Sequence, residues 1–146
     1  DGHNRILIFG MDECRHDEER YSFCHIRSNG LMYVVNYNKR ELKDVEMAGS
    51  QKVTVRWLIG RQTGAKTYAM RLFEIAPGGI VPLHTHPEEH EIFVLNGKAK
   101  IFGDLGGIAK KDDVVFVPSN EPHGYDNTEG KDVFRFICVI PLLNDE

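Results

Sequence analysis

The feature that most constrains this fold is a series of short β-type segments that begins near Lys52 and runs to the end of the chain. These segments are rich in Val, Ile, Phe and Thr, which favour strands, and they are separated by Gly, Pro and Asn. The expected strands are 53–59, 67–76, 91–95, 98–102, 114–117 and 132–140. Pro77-Gly78-Gly79 is expected to end the second of them, and Asn96-Gly97 predicts a tight hairpin. Many short strands without a long amphipathic helix indicate an all-β sandwich or barrel.

The first third of the chain follows a different pattern. Segments 5–11 and 31–37 are expected to be strands, and 41–47 one or two helical turns. No motif with an assignable chemistry occurs there. We therefore expect residues 1–50 to be an extension that packs on the barrel or on a neighbouring subunit, and residues 51–146 to form the barrel.

Composition excludes several classes of protein. The chain has 146 residues, of which 41% are hydrophobic and 27% charged, with a net charge of −4, as in soluble globular proteins. It has no basic face for nucleic acid or an anionic membrane, no apolar run near the ~20 residues of a membrane span, and no visible signal peptide. The three cysteines do not form a disulfide pattern, so we expect a reducing, cytoplasmic setting.

The residues most suggestive of chemistry are four of the seven histidines, which fall within one short stretch of the chain. His84 and His86 are alternate residues, so on a strand both rings point to the same face. His90 follows across Pro87, where the chain bends, and His123 comes from a separate segment. Neutral imidazole suits Mn, Fe, Co, Ni, Cu and Zn. We expect these four side chains to hold one divalent transition ion.

Two spaced patterns of Gly, His, Pro and Asn resemble the paired motifs of the cupin family: Gly78-x5-His84-x-His86-x3-His90-x6-Gly97 and Pro118-x4-His123-x3-Asn127. The resemblance covers roughly residues 53–141. It implies a double-stranded β-helix, a jelly-roll barrel with the metal in its mouth, and it implies that the motif histidines are ligands. His90 stands where glutamate or glutamine is commoner, and a spacing one residue longer would make Glu91 the ligand instead. Asp112 and Asn120 replace usual glycines, which predicts altered loops.

An all-histidine site has chemical consequences. Four neutral ligands leave the full charge of a divalent ion in place, which strengthens its Lewis acidity and stabilises its reduced state. An octahedral ion would keep two positions for a bidentate substrate, or for substrate and O2. A closed tetrahedral site with the same ligands would indicate structural zinc.

The last expected strand indicates what lines the pocket. Arg135 is a charged residue among apolar ones, and if it faces solvent, then Phe134, Phe136 and Cys138 face the barrel interior. Such a wall would suit an apolar or aromatic small molecule. Glu88, Glu89 and Glu91 are candidate partners that orient the imidazoles, although Pro87-Glu88-Glu89 is also typical of an exposed turn.

These observations favour a metal-dependent oxygenase of the dioxygenase type that acts on a small, partly apolar molecule. A metal-dependent isomerase and a non-catalytic module that binds a small molecule or a metal remain alternatives, because fold alone does not settle function. The family resemblance also implies a homodimer.

Overall fold

A computed structural model describes residues 32–104 and 106–144 of the chain. These residues form an almost entirely β structure with two short 3-10 turns, Tyr37–Lys39 and Arg61–Thr63. The strands are β1 Lys43–Asp44, β2 Gln51–Ile59, β3 Tyr68–His84, β4 His90–Asn96, β5 Lys98–Phe102, β6 Gly107–Lys110, β7 Val114–Val117, β8 His123–Asn127 and β9 Phe134–Pro141.

The strands pair in antiparallel fashion, in the order β6-β5-β8-β3-β9-β4-β7, and β1 and β2 are added along β3. The sheet curls into a nearly closed barrel, which confirms the all-β jelly-roll fold expected from the sequence. None of the helical segments in the described ranges has the length and apolarity of a membrane-spanning helix.

Strand β3 pairs with three other strands of the barrel, and it is longer than expected. Its first half pairs with β2 and β9, and its second half pairs with β8. The prediction that Pro77-Gly78-Gly79 ends this strand is wrong, because Gly78 adopts a left-handed φ of 81° and bends the strand without ending it. Pairing resumes opposite Asn127, so β3 carries His84 to a position across from His123.

The hairpin predicted at Asn96-Gly97 is also wrong. Gly97 has the expected left-handed φ of 73°, but β4 pairs with β7 and β9, whereas β5 pairs with β6 and β8. The turn therefore takes the chain from one wall of the barrel to the other. Of the two strands, β5 still pairs with its next neighbour in sequence, β6, whereas among the described residues β4 pairs only with strands that are distant in sequence.

The structure contradicts two of the predictions made for the N-terminal part of the chain. The strand expected at 31–37 is wrong within the described residues, since only an isolated bridge at Tyr33 precedes the 3-10 turn. The Asn36 side chain accepts a hydrogen bond from the Asn38 backbone at 3.1 Å, which favours that turn. The helical turns expected at 41–47 are wrong, because β1 lies there and pairs with β2. The strand predicted at 5–11 lies outside the described residues.

Two loops adopt the left-handed backbone conformation that favours glycine, although Asp112 and Asn120 stand where the cupin motifs usually have glycine. Asp112 has a φ of 72° and Asn120 a φ of 63°. Asp and Asn tolerate this left-handed region better than other side chains, because their short polar groups bond locally. The substitutions are therefore absorbed without a change of backbone region.

The core lies inside the barrel. Its most deeply buried side chains include Ile75, Val94, Phe134, Phe136 and Cys138, each at most 1% exposed. The last three alternate along β9, so their side chains share the interior face. Arg135 lies on the opposite face, where its Nε is 3.1 Å from Glu74 Oε1.

Candidate metal centre

Three strands and one loop bring the four motif histidines together at one end of the barrel. The ring centroids of His84 and His123 are 4.3 Å apart, those of His86 and His90 are 4.5 Å apart, and those of His90 and His123 are 4.8 Å apart. One ring nitrogen from each of His84, His86 and His123 lies within 4.8 Å of the others. We call the four side chains the histidine cluster.

Backbone carbonyls determine the tautomers of two members. His84 Nδ1 is 2.9 Å from the Pro82 carbonyl oxygen, and His123 Nδ1 is 2.8 Å from that of Glu121. A carbonyl oxygen can only accept, so both Nδ1 atoms carry the proton and donate it. Each neutral ring then keeps a free lone pair on Nε2, as a metal ligand requires.

Two observations test whether a cation fits this arrangement. His123 Nε2 is buried and has no hydrogen-bond partner, a state that is costly unless a ligand satisfies it. His86 Nδ1, likewise buried without a hydrogen-bond partner, is 3.2 Å from Glu88 Oε2, so that carboxylate lies where the partner of a ligating imidazole would stand. The histidine cluster and the fold are therefore compatible with a bound metal ion.

Burial keeps three of the imidazoles neutral. Burial lowers the pKa of His123 to about 4, and burial together with the Arg71 charge lowers the pKa of His90 to about 2. Burial also lowers the pKa of His86, although Glu88 opposes that effect. These rings are therefore unprotonated near neutral pH, when their lone pairs are available.

His90 and Glu91, the two alternatives for the fourth position, face opposite sides of β4. His90 is only 6% exposed and its ring lies among the others, whereas Glu91 is exposed. The His90 nitrogens are not part of the three-nitrogen group. Nε2 is 3.5 Å from Arg71 Nη2, and Nδ1 is 3.5 Å from the Tyr125 hydroxyl.

A cavity of about 410 Å³ opens beside the histidine cluster. His84, His86 and His90 form one side of it, and the aromatic side chains on its walls are Trp57, Phe73, Tyr125 and Phe136. Phe73 and Phe136 stack with their centroids 5.3 Å apart and their planes at 15°. Of the three residues expected to line the pocket, Phe136 borders this cavity, while Phe134 and Cys138 belong to the packed core.

Sequence reasoning missed two contributors to the cavity. Residues 43–47 form part of its wall, although nothing in their local sequence indicates a long-range contact. Arg71 also borders the cavity, with Nη2 3.1 Å from Cys138 Sγ. A signal for Arg71 was present, because it shares strand parity with Phe73 and Ile75 and is therefore a charged residue on the interior face.

Comparison with known proteins adds a family match and several relatives. The profile of a family described as a cupin domain matches residues 71–140. The polyketide cyclase RemF from Streptomyces resistomycificus superposes with a TM-score of 0.73 at 30% identity, over 80% of this chain and 83% of that protein. A predicted oxalate decarboxylase from Thermotoga maritima superposes with a TM-score of 0.65 at 27% identity, over 75% of this chain and 99% of that one.

An oxalate-binding protein from Thermotoga maritima is 38% identical over 78 residues. That alignment covers 50% of this chain and 64% of the relative, so the chain spans less than two thirds of that protein's length.

Proposed function

Because this chain belongs to the cupin family, we propose that it is a metal-dependent enzyme that acts on a small, partly apolar carbonyl compound. The observation that carries the proposal is the convergence of ring nitrogens from His84, His86 and His123 beside an aromatic-walled cavity. In this proposal His90 completes the ligand set rather than Glu91, because His90 is buried against the other rings.

The ligands of this proposed site are all neutral. A bound divalent ion of Mn, Fe, Co, Ni, Cu or Zn would supply Lewis acidity to a substrate oxygen. The protein's own part is to hold the rings in place through the bonds of His84 and His123 to backbone carbonyls. No carboxylate of the ligand set offsets the positive charge, so the site favours substrate oxygens that carry or develop negative charge.

The cavity suggests the substrate class. Stacked Phe73 and Phe136 offer flat apolar surface to a planar molecule. Burial raises the pKa of Tyr125, so its hydroxyl stays protonated and is available as a hydrogen-bond donor. The likeness to a protein named as a polyketide cyclase supports a substrate with several carbonyl groups along one chain. The proposed reaction is an intramolecular aldol cyclisation, in which a carbon–carbon bond forms and water leaves.

Two other functions have support of their own. The neutral ligand set also favours a reduced metal, which supports an oxygenase of the dioxygenase type that uses O2 and the same class of substrate. The likeness to an oxalate-binding protein supports a module that binds a small acid without turnover. A metal-dependent isomerase would use the same Lewis acidity as the cyclase.

We also propose a cytoplasmic homodimer. Cys138 is a free, buried thiol, which suits a reducing compartment. Phe93, Val114 and Phe116 are exposed on the outer face of β4 and β7, where a second copy would cover them. Light scattering that finds only monomers would contradict the dimer.

The first experiment measures metal binding. The purified protein is expected to take up one divalent ion per chain, and His84→Ala and His123→Ala are each expected to weaken binding at least roughly 100-fold. His25→Ala, a histidine outside the two motifs, serves as the matched control and should bind normally. Failure of the wild-type chain to bind any transition ion would overturn the proposal.

The second experiment separates the candidate reactions. 3,5,7-Trioxooctanoate is a polyketone acid whose aldol cyclisation with loss of water gives 2,4-dihydroxy-6-methylbenzoate. Formation of that product with the Zn(II) or Mn(II) protein, without O2, is the expected result. Oxygen consumption by the Fe(II) protein alone would replace the cyclase with the oxygenase. Tight binding without product would replace it with the binding module.

A further inference from the structure

Arg71 is a half-buried positive charge that has no anionic partner among the described residues. Its guanidinium lies 3.1 Å from the Cys138 sulfur and 3.5 Å from His90 Nε2, and neither group is an anion. Its Nε is buried and has no hydrogen-bond partner. Within residues 32–104 and 106–144, no carboxylate oxygen lies within 4.0 Å of the guanidinium.

The surroundings of this charge are apolar and aromatic. The guanidinium carbon is 5.4 Å from the Trp57 ring centroid and 4.9 Å from that of Phe73. These faces attract the cation but do not neutralise it. The carboxylates of Asp44 and Glu46 also border the cavity, but both are exposed and neither pairs with the guanidinium. Removing part of this charge from water is costly unless an anion pairs with it.

We propose that Arg71 forms an anion subsite that binds the carboxylate group of the ligand, between Trp57 and Phe73 and next to the histidine cluster. A guanidinium presents five N–H donors in a planar fork that matches a carboxylate, and a ring attached to that carboxylate would lie against the two aromatic faces. The subsite therefore selects planar aromatic or conjugated acids. It deepens the proposed function, on which it rests for the class of molecule that enters the cavity.

Discrimination against neutral molecules follows from the same desolvation. A carboxylate pairs with the guanidinium, whereas an amide of the same shape leaves the charge uncompensated. A site of this kind rejects the neutral analogue more strongly than an apolar pocket rejects a change of one methylene.

The experiment uses benzoate and benzamide as a charged and neutral pair of equal shape. Trp57 is the single tryptophan of the chain and borders the cavity, so its fluorescence reports occupancy. We expect benzoate to bind the full-length protein at least roughly tenfold more tightly than benzamide. Equal affinity for the two probes would overturn the proposal in the wild-type protein, without any variant.

Variants then locate the effect. Arg71→Met is expected to abolish the preference for benzoate, and Arg71→Lys to keep part of it, because lysine retains the charge but loses the fork. Arg61→Met is the matched control, since Arg61 is exposed and bonds the Leu143 carbonyl away from the cavity. A preference unchanged in Arg71→Met, with the fold intact by circular dichroism, would overturn the subsite.

Repeating the titration after chelation separates this proposal from the metal site. Binding of benzoate that depends on Arg71 and survives chelation supports the subsite, even if the chain never binds a metal. Metal binding at the histidine cluster with no preference for benzoate in either state would leave the proposed function standing and remove the subsite.

Discussion

Acidification should destabilise the metal-free protein through His90 and His123. In the folded chain burial lowers the pKa of these groups to about 2 and about 4, whereas an unfolded imidazole takes up its proton near its ordinary pKa of 6.5. Below that value the unfolded state binds more protons, so the free energy of unfolding falls as the pH falls. At about pH 5 each group accounts for about 2 kcal/mol, and the pair for up to about 4 kcal/mol.

Urea denaturation of chelator-treated protein at pH values from 7 to about 5 measures this loss through the extrapolated free energy of unfolding. His123→Asn isolates one contribution, because its amide nitrogen can still donate to the Glu121 carbonyl but does not titrate. The variant should lose about 2 kcal/mol less than the wild type over the same range. An identical loss in both proteins, or none in the wild type, would refute this account of the buried imidazoles.

Three further outcomes are expected. Asn127 is buried, and its side-chain amide donates to two backbone carbonyls. Asn127→Asp should therefore lower the free energy of unfolding, measured in urea, by about 2 kcal/mol or more. Asn96 makes a single exposed hydrogen bond to a backbone carbonyl, so Asn96→Asp should lower the free energy of unfolding by less than about 1 kcal/mol. Gly97→Ala should cost more than about 1 kcal/mol by the same assay, because the site has a left-handed φ and a Cβ there would collide with the Val133 carbonyl oxygen. A metal ion at about 100 times its dissociation constant should stabilise the protein by about 2.7 kcal/mol at neutral pH and raise its melting temperature. This gain should still be present at about pH 6 and should shrink as the pH falls below about 4, where His123 takes up a proton. Retention of the full stabilisation at about pH 3 would count against imidazole ligands.

Much of the fold could be predicted from the sequence because the positions of the strands depend on local patterns of residues. Enrichment in β-branched and aromatic residues between turn residues identified β2, β4, β5, β7 and β9 within a few residues, and a strand that buries one face must alternate its two sides. The same rule placed Phe134, Phe136 and Cys138 on one interior face. It did not indicate β6 or β8, whose sequences are short and contain glycine.

The sequence also predicted which side chains form the histidine cluster. Motif spacing selected His84, His86, His90 and His123, and the structure brings their rings within contact of one another. The spacing left His90 and Glu91 as alternatives, and only the pairing of β4 shows which of the two faces the barrel interior.

The sequence by itself determined where most strands lie and which imidazoles belong to one motif, because both depend on residues that are close together along the chain. Tertiary structure alone decided that the turn at Gly97 joins two strands that do not pair with each other, that β3 bends rather than ends at Gly78, and that no carboxylate among the described residues pairs with Arg71 at the cavity. Which strands pair, and which charges become buried, depends on how segments that are distant in sequence pack together and exclude water. The free energy of that packing belongs to the segments jointly, and no local sequence pattern connects them.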